Sequence, residues 1–401
     1  AEDKMKITLK LDSLGVDYIE GGWPGSNPKD VEYFQMARTL NLSNARIVAF
    51  GSTRRSGTQI EEDGNIQALL AAETPAVTIV GKSSELHVRS VLETTLEENL
   101  AMISDTISFL KGHGRIVFFD AEHFFDGFKS NPTYAMDTLN AAASAGADCI
   151  VLCDTNGGML TNEISNIVSR VGLSMKTPLG IHCHNDTDMA VANTLAGVMA
   201  GATQVQGTIN GYGERCGNAN LVSVIVNLQV KMGIPCLTMK QLSSLTEASY
   251  YISEIVNVPP NSQQPYVGAS AFGHKGGLHA AAVAKLAESY QHISPDAVGN
   301  SQRVLISELS GRGNIQHRLR EFGLEGKVSQ QQIGQILDTL KLQESRGFQY
   351  EGAEASFELM MRRSLEGYRP PFNLVDFLVL VENNRRTSMT DKDGVMLAEA
   401  V

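Results

Sequence analysis

Paired cysteines, a basic excess and long apolar runs are all missing from this chain, and each absence removes a class of protein. The five cysteines, Cys149, Cys153, Cys183, Cys216 and Cys236, form no CxxC pair and no dense framework of the kind that staples small secreted domains, so a reducing cytoplasm is expected. Lysine and arginine number 33 against 44 aspartates and glutamates, a net charge of -11. That balance argues against nucleic-acid binding by phosphate neutralisation and leaves room only for a local basic pocket. No run approaches the eighteen or so apolar residues of a membrane span, and the opening AEDKMKITLK has no signal-peptide core. What is present is 401 residues at 42% hydrophobic content, enough for a large core and roughly two or three domains.

As far as residue 235, short apolar runs alternate with helical patterns, the signature of βα units around a parallel sheet. The strand candidates are DYIEGG, RIVAFG, AVTIVG, RIVFFDAE, DCIVLCDT, TPLGIHCH and TQVQGTING. Each finishes in polar or glycine residues, among them Glu20, Ser52, Lys82, Glu122, Asp154, Thr155, His182, His184 and Asn210. Parallel strands gather such ends on one face. The first element is a helix, EDKMKITLKLDSLG, with Leu9, Leu11 and Leu14 spaced for one apolar stripe. A βα unit begins with its strand, so the expectation is a (β/α)8 TIM barrel whose first strand lies upstream of Ala1; the competing arrangement is a doubly wound open sheet.

After Cys236 the alternation stops. TMKQLSSLTEASYYISEIVNV reads as a helix ended by PPNSQQP, and GLHAAAVAKLAESY, SQQQIGQILDTLKLQ and AEASFELMMRRSLEGY follow with helical periodicity. The organisation expected is a barrel over 1–235, a smaller, mainly helical appendage over 236–370, and the start of a further domain over 371–401, where RPPF introduces the strand-like NLVDFLVLVENN.

His182 and His184, two residues apart on a strand, project from one face and can share a metal ion. The alternative is a rim of histidines bonded to their neighbours. The loop NGYGERCGNAN at the end of the next strand brings Asn218 or Asn220 beside them, its glycines allowing tight turns near a ligand rather than forming a dinucleotide fingerprint. FFDAEHFFDGF offers Asp120, Glu122, His123 and Asp126 for acid/base work, or as an acidic capping loop, with Glu122 nearest the strand terminus. SAFGHKGGLHAAAVAKLAESY places His274 and His279 around two glycines, with Tyr290 about three turns beyond His279 on a helical pattern.

Taken in order, HCHND, NGYGERCGNANL and GHKGGLHAAAV resemble the HMG-CoA-lyase-like TIM-barrel family that includes the isopropylmalate, homocitrate and citramalate synthases. YIEGGWPGSNPKD, FGSTRR, DAEHFFDGFK, CDTNGG, GNSQRVLISELSGRGNI and EGAEASFELMMRRSLEGYRPPF look like the citramalate branch, which serves isoleucine biosynthesis. The resemblance implies an acyltransferase that condenses acetyl-CoA with pyruvate and hydrolyses the thioester. It implies a divalent metal ion, magnesium, manganese or zinc, on His182, His184 and Asn218, and a keto-acid pocket lined by Glu122 and Thr155. Glu122 also counts among the catalytic candidates; His279 and Tyr290 match acid/base positions, commonly supplied across a homodimer interface.

One departure stands beside these matches. The family's Arg-Asp-Gly motif, with a metal-ligand aspartate and a catalytic arginine, has no counterpart here, so the expectation is that both lie upstream of Ala1 and that the sequence as given is catalytically incomplete. A C-terminal regulatory domain is represented only by its opening, and no feedback behaviour is expected. Competing functions are an isopropylmalate or homocitrate synthase, a carbon-carbon lyase of the same superfamily, and a metal-binding barrel without catalysis. An assay with hydroxymethylglutaryl-CoA separates the lyase.

Overall fold

The seven runs become seven parallel strands: β1 (Tyr18–Glu20), β2 (Arg46–Ser52), β3 (Ala76–Lys82), β4 (Ile116–Glu122), β5 (Cys149–Asp154), β6 (Leu179–Cys183) and β7 (Gln204–Gln206). The computed structural model describes residues 1–401 except 275–278, 280, 281, 284, 305, 307–309, 373, 374, 377, 386–394 and 401. Strand order runs from β1 to β7 without reversal. A doubly wound sheet reverses its order at a switch point, so that alternative is excluded, and the arrangement is that of a TIM barrel. Among the described residues β1 and β7 are not hydrogen-bonded to each other.

Strand alternation sorts the side chains into two layers. Ile79, Val117, Phe119, Ile150, Leu152 and Ile181 face the helices and are all 0% exposed, each contributing about 1.5–3 kcal/mol of transfer free energy. The opposite faces of the same strands supply a smaller inner cluster: Val48, Ala76, Phe118, Cys149, Val151 and Cys153. Helices return the chain between strands. The one over Leu96–Gly112 buries Met102, Ile103, Thr106, Ile107 and Leu110 at helical spacing, and Thr95 caps it by accepting the N–H of Glu98.

Three helical expectations need correction. In the first helix, Glu2–Leu14, the supposed stripe of Leu9, Leu11 and Leu14 does not hold, because Leu9 is 49% exposed. The docked apolar face runs instead through Ile7, Leu11 and Leu14, and polar groups add to it. The carboxylate of Asp12 accepts the backbone N–H groups of Ser43, Asn44 and Ala45 at 3.0, 2.8 and 2.8 Å, and the Thr8 hydroxyl lies 2.8 Å from that of Tyr33. The run after Cys236 is two helices, Met239–Leu242 and Leu245–Ile255, not one. Ser243 and Ser244 sit at the break and return their hydroxyls to the carbonyls of Lys240 and Gln241, local bonds that compete with helix propagation. Tyr290 is not the continuation of a helix from His279: Ala287–Ser289 is a 3-10 turn and Tyr290 lies in the turn after it. Much of GHKGGLHAAAV lies outside the described residues, as do 373, 374 and 377 of the strand-like run.

The chain divides into two compact units. One comprises Ala1–Gly273 and Leu286–Arg303, and holds the barrel. The other comprises His274–Lys285 and Val304–Val401. Its helices Arg312–Glu321, Gln330–Ser345 and Glu354–Arg363 pack Ile315, Leu319, Ile333, Ile336, Leu340, Phe357 and Met361 into a core of their own. Val379–Arg385 pairs antiparallel with Val395–Ala400. No helix among the described residues is long and apolar enough to cross a membrane.

Candidate active site

The register of β5, β6 and β7 sets Cys153, His182 and Gln206 side by side on the inner face of the barrel, while Cys183 points into the outer core at 1% exposure. His184 follows on the same side as His182, their ring centroids 5.1 Å apart. The glycine loop is sewn to this strand end. Ala219 N–H donates to the Cys183 carbonyl and Asn185 N–H to that of Gly217, both at 2.9 Å, which makes His184 and Asn218 an antiparallel bridge pair. Two glycines are required for that approach. A Cβ on Gly213 would fall 2.1 Å from Asn218 Nδ2, and one on Gly217, at φ 88°, would fall 2.0 Å from the Gly211 carbonyl.

Asn218 and Asn220, equivalent in the sequence, are separated by their bonding. The side-chain oxygen of Asn220 caps the helix Leu221–Val226 by accepting the N–H of Val222 at 3.1 Å. Asn218 donates its Nδ2 to the Tyr212 carbonyl at 3.0 Å, and its Oδ1 is buried with no hydrogen-bond partner among the described residues. The Nδ1 of His184 is buried and unpartnered in the same way. Burial and the neighbouring His184 pull the His182 imidazolium down to about 4, and burial with the Arg215 guanidinium lowers His184. Both rings are therefore neutral at pH 7 and have lone pairs to give. Unsatisfied buried atoms on the His184 imidazole and the Asn218 amide, beside the neutral His182 ring, fit a divalent ion that takes nitrogen and oxygen ligands. The set is partial, for among the described residues no three His, Cys, Asp or Glu side chains converge as a metal cage.

Across the mouth, register places Lys82 of β3 directly beside Glu122 of β4, and the two form an ion pair. Thr155, just past β5, accepts the backbone N–H of His123 at 2.8 Å, which leaves its own hydroxyl proton to donate to a ligand carboxylate. His123, at φ 55°, stacks on His87 with centroids 3.7 Å apart, and its Nδ1 stands 3.5 Å from Asp126. Asp120 points into the barrel below the mouth at 6% exposure; burial, then the nearby Glu20, push its carboxyl far above the usual range. Glu20 is solvent-reached beside the unpaired edge of β1, yet the protein packed around it pushes its carboxyl up to about 7, opposed by the Thr78 hydroxyl.

Glu122, Thr155, His182, His184 and Asn218 thus all belong to the strand-end face of the barrel unit. Tyr290 belongs to the same unit and is 51% exposed, whereas His274 and His279 belong to the second unit. Two participants were not singled out in the sequence. Arg215 clamps Asp186 with two bonds of 2.8 and 3.0 Å and donates to the Thr155 carbonyl at 2.8 Å, tying the glycine loop to the ends of β5 and β6. Gln206 bridges His182 and Asp120. The only signal for Arg215 was its place within GERCGN; for Gln206 it was its position two residues before Thr208 at a strand end.

A cavity of about 940 Å³ opens beside Asn218, lined in part by Asn185, Asn210, Tyr212, Cys216 and Tyr266. It contains eight carboxamides and neither lysine nor arginine in its lining.

The HMGL-like family model matches residues 1–252, and that of the homocitrate synthase post-HMGL domain-like family matches residues 266–347. The (R)-citramalate synthase of Aquifex aeolicus is 49% identical over 98% of this chain and 75% of that protein. The chain belongs to the (R)-citramalate synthase family. That of Geobacter sulfurreducens is 50% identical over 95% of the chain and 72% of its own length. The crystal structure of hydroxymethylglutaryl-CoA lyase from Pseudomonas aeruginosa superposes with a TM-score of 0.53 at 18% identity, covering 64% of this chain and 87% of that one, a likeness of fold.

Proposed function

We propose that this member of the (R)-citramalate synthase family condenses acetyl-CoA with pyruvate and hydrolyses the product thioester, releasing citramalate and CoA. A carbon-carbon bond forms between the acetyl methyl carbon, after loss of a proton, and the keto carbon of pyruvate, whose oxygen takes up a proton. Water then displaces CoA as its thiol. The observation that carries the reading is the pair of buried, unsatisfied acceptors on His184 and Asn218 beside His182, in a chain about half identical to such synthases.

His182, His184 and Asn218 would hold a divalent ion, magnesium, manganese or zinc. When bound, that ion supplies a template for the keto acid and Lewis-acid polarisation of its carbonyl. Thr155 binds a carboxylate oxygen of the keto acid through its hydroxyl, and Glu122 lines the same pocket. The cavity beside Asn218, rich in carboxamides and without cations, suits the amide-bearing pantetheine arm of acetyl-CoA better than its phosphates. His279 and Tyr290 supply the acid and base positions in a homodimer. The same reading places the enzyme in the cytoplasm on the route to isoleucine, with the barrel over 1–235, an appendage over 236–370 and a further domain opening at 371–401.

The test is thiol release by the purified full-length protein. Acetyl-CoA with pyruvate and a divalent ion is expected to give CoA and (R)-citramalate in equal amounts. Faster turnover with 2-oxoisovalerate or 2-oxoglutarate would overturn the choice of keto acid, and cleavage of hydroxymethylglutaryl-CoA would overturn the reaction type.

A further inference from the structure

Asp120 is a buried carboxyl that the reading above leaves without a task. It connects to the histidine pair through one side chain. Gln206 Nε2 donates to Asp120 Oδ1 at 3.0 Å, and Gln206 Oε1 lies 2.9 Å from His182 Nδ1. Residues 86 positions apart, Asp120 and Gln206, meet because β4 and β7 face each other across the barrel interior.

A carboxamide has a donor end and an acceptor end, so fixing one end fixes the other. Ionised, or protonated on Oδ2, Asp120 presents an acceptor at Oδ1, which selects the amide nitrogen of Gln206. The amide oxygen is then left facing His182, and an oxygen acceptor requires a proton on Nδ1. The neutral ring carries one proton, so Nε2 is left with its lone pair. The competing arrangement turns Gln206 over and places the proton on Nε2, toward Asn218. It requires Asp120 to carry its proton on Oδ1; otherwise the amide oxygen of Gln206 and Asp120 Oδ1 are two acceptors about 3 Å apart inside the barrel, an unsatisfied buried contact.

We propose that Asp120 and Gln206 are positioning residues that hold His182 as its Nδ1–H tautomer and so present Nε2 as a lone pair to a divalent ion. This rests on the reading of His182 and His184 as metal ligands. The pair acts through His182 and has no contact with substrate. Second-shell bonds of this kind orient a ligand and raise its basicity.

Histidine-selective 15N labelling of the metal-free, full-length protein tests the tautomer directly. Long-range 1H–15N correlations should show His182 Nδ1 protonated and Nε2 bare; an Nε2–H ring in the wild type overturns the proposal without any variant. Gln206→Leu and Asp120→Ala should shift the ring toward the other tautomer and weaken manganese binding in calorimetry by about 10–100-fold. Asp120→Asn, which keeps an oxygen acceptor for Gln206, should retain the wild-type tautomer and most of the affinity. Variants that fold and leave both tautomer and affinity unchanged would contradict the proposal. A wild-type protein with Nδ1–H His182 that takes no manganese would overturn the metal reading, and with it the task assigned to the pair, while leaving the tautomer assignment standing.

Discussion

Glu122 on β4 spends its charge on Lys82, whereas His184 and Asn218, past the end of β6, have polar atoms buried beside no partner among the described residues. Both groups stand at the same end of the same barrel. Satisfying a buried group internally stabilises a fold; leaving it unsatisfied costs free energy that a bound ligand, ion or water recovers. The contrast between Glu122 and the His184–Asn218 pair therefore separates a residue held by an internal partner from residues that await one, although the stacked His87 and His123 on the Glu122 side also bury Nδ1 atoms with no hydrogen bond among the described residues. HCHND alone could not make that distinction, since histidines on a polar rim would look the same in sequence.

The largest expected effect comes from the unsatisfied side. His184→Ala should lower turnover with acetyl-CoA and pyruvate by several kcal/mol of transition-state stabilisation, roughly 10³-fold. Its melting temperature should change little, since Nδ1 makes no internal hydrogen bond. A large stability loss with preserved activity would reverse the assignment of the two sides.

Lys82→Met probes the satisfied side. It leaves Glu122 without its cation and close enough to Asp120 to repel it, so urea unfolding should show a loss of about 1–3 kcal/mol. A variant as stable as the wild type would mean that the pair is kept for chemistry alone.

Glu20→Gln sharpens the picture of the barrel floor and should have the smallest effect. The Glu20 carboxyl is raised from its ordinary 4.5 to about 7. The stability linked to its proton is fully present below pH 4.5 and is lost as pH rises through about 7. Melting temperatures at pH 5 and pH 8 should therefore differ less in Glu20→Gln than in the wild type. Glu20 also raises Asp120, so the difference reports the loss of the Glu20 carboxyl together with the relief of its neighbour.

The strand positions, the shared face of His182 and His184 and the barrel class were legible because period-two alternation and polar strand ends are local patterns. Asn218 was legible only as one of two asparagines, and the bond that uses Asn220 as a helix cap had to be seen to separate them. Gln206 and Asp120 were not legible as a pair, since their meeting depends on the curvature of the sheet across 86 residues. Leu9 was misread because the docked face runs through Ile7, Leu11 and Leu14, to which Asp12 adds three backbone donors that apolar spacing does not register. The two helices that replace one after Cys236 were missed because apolar residues continue in phase through Ser243 and Ser244, whose hydroxyls break the run.

Calorimetric titration of the metal-free protein with manganese bears most directly on the unsatisfied side of the mouth. One ion should bind per chain, and His184→Ala should abolish binding while remaining folded. Failure of the wild type to bind, or equal binding by His184→Ala, would contradict the assignment of these buried acceptors to a metal.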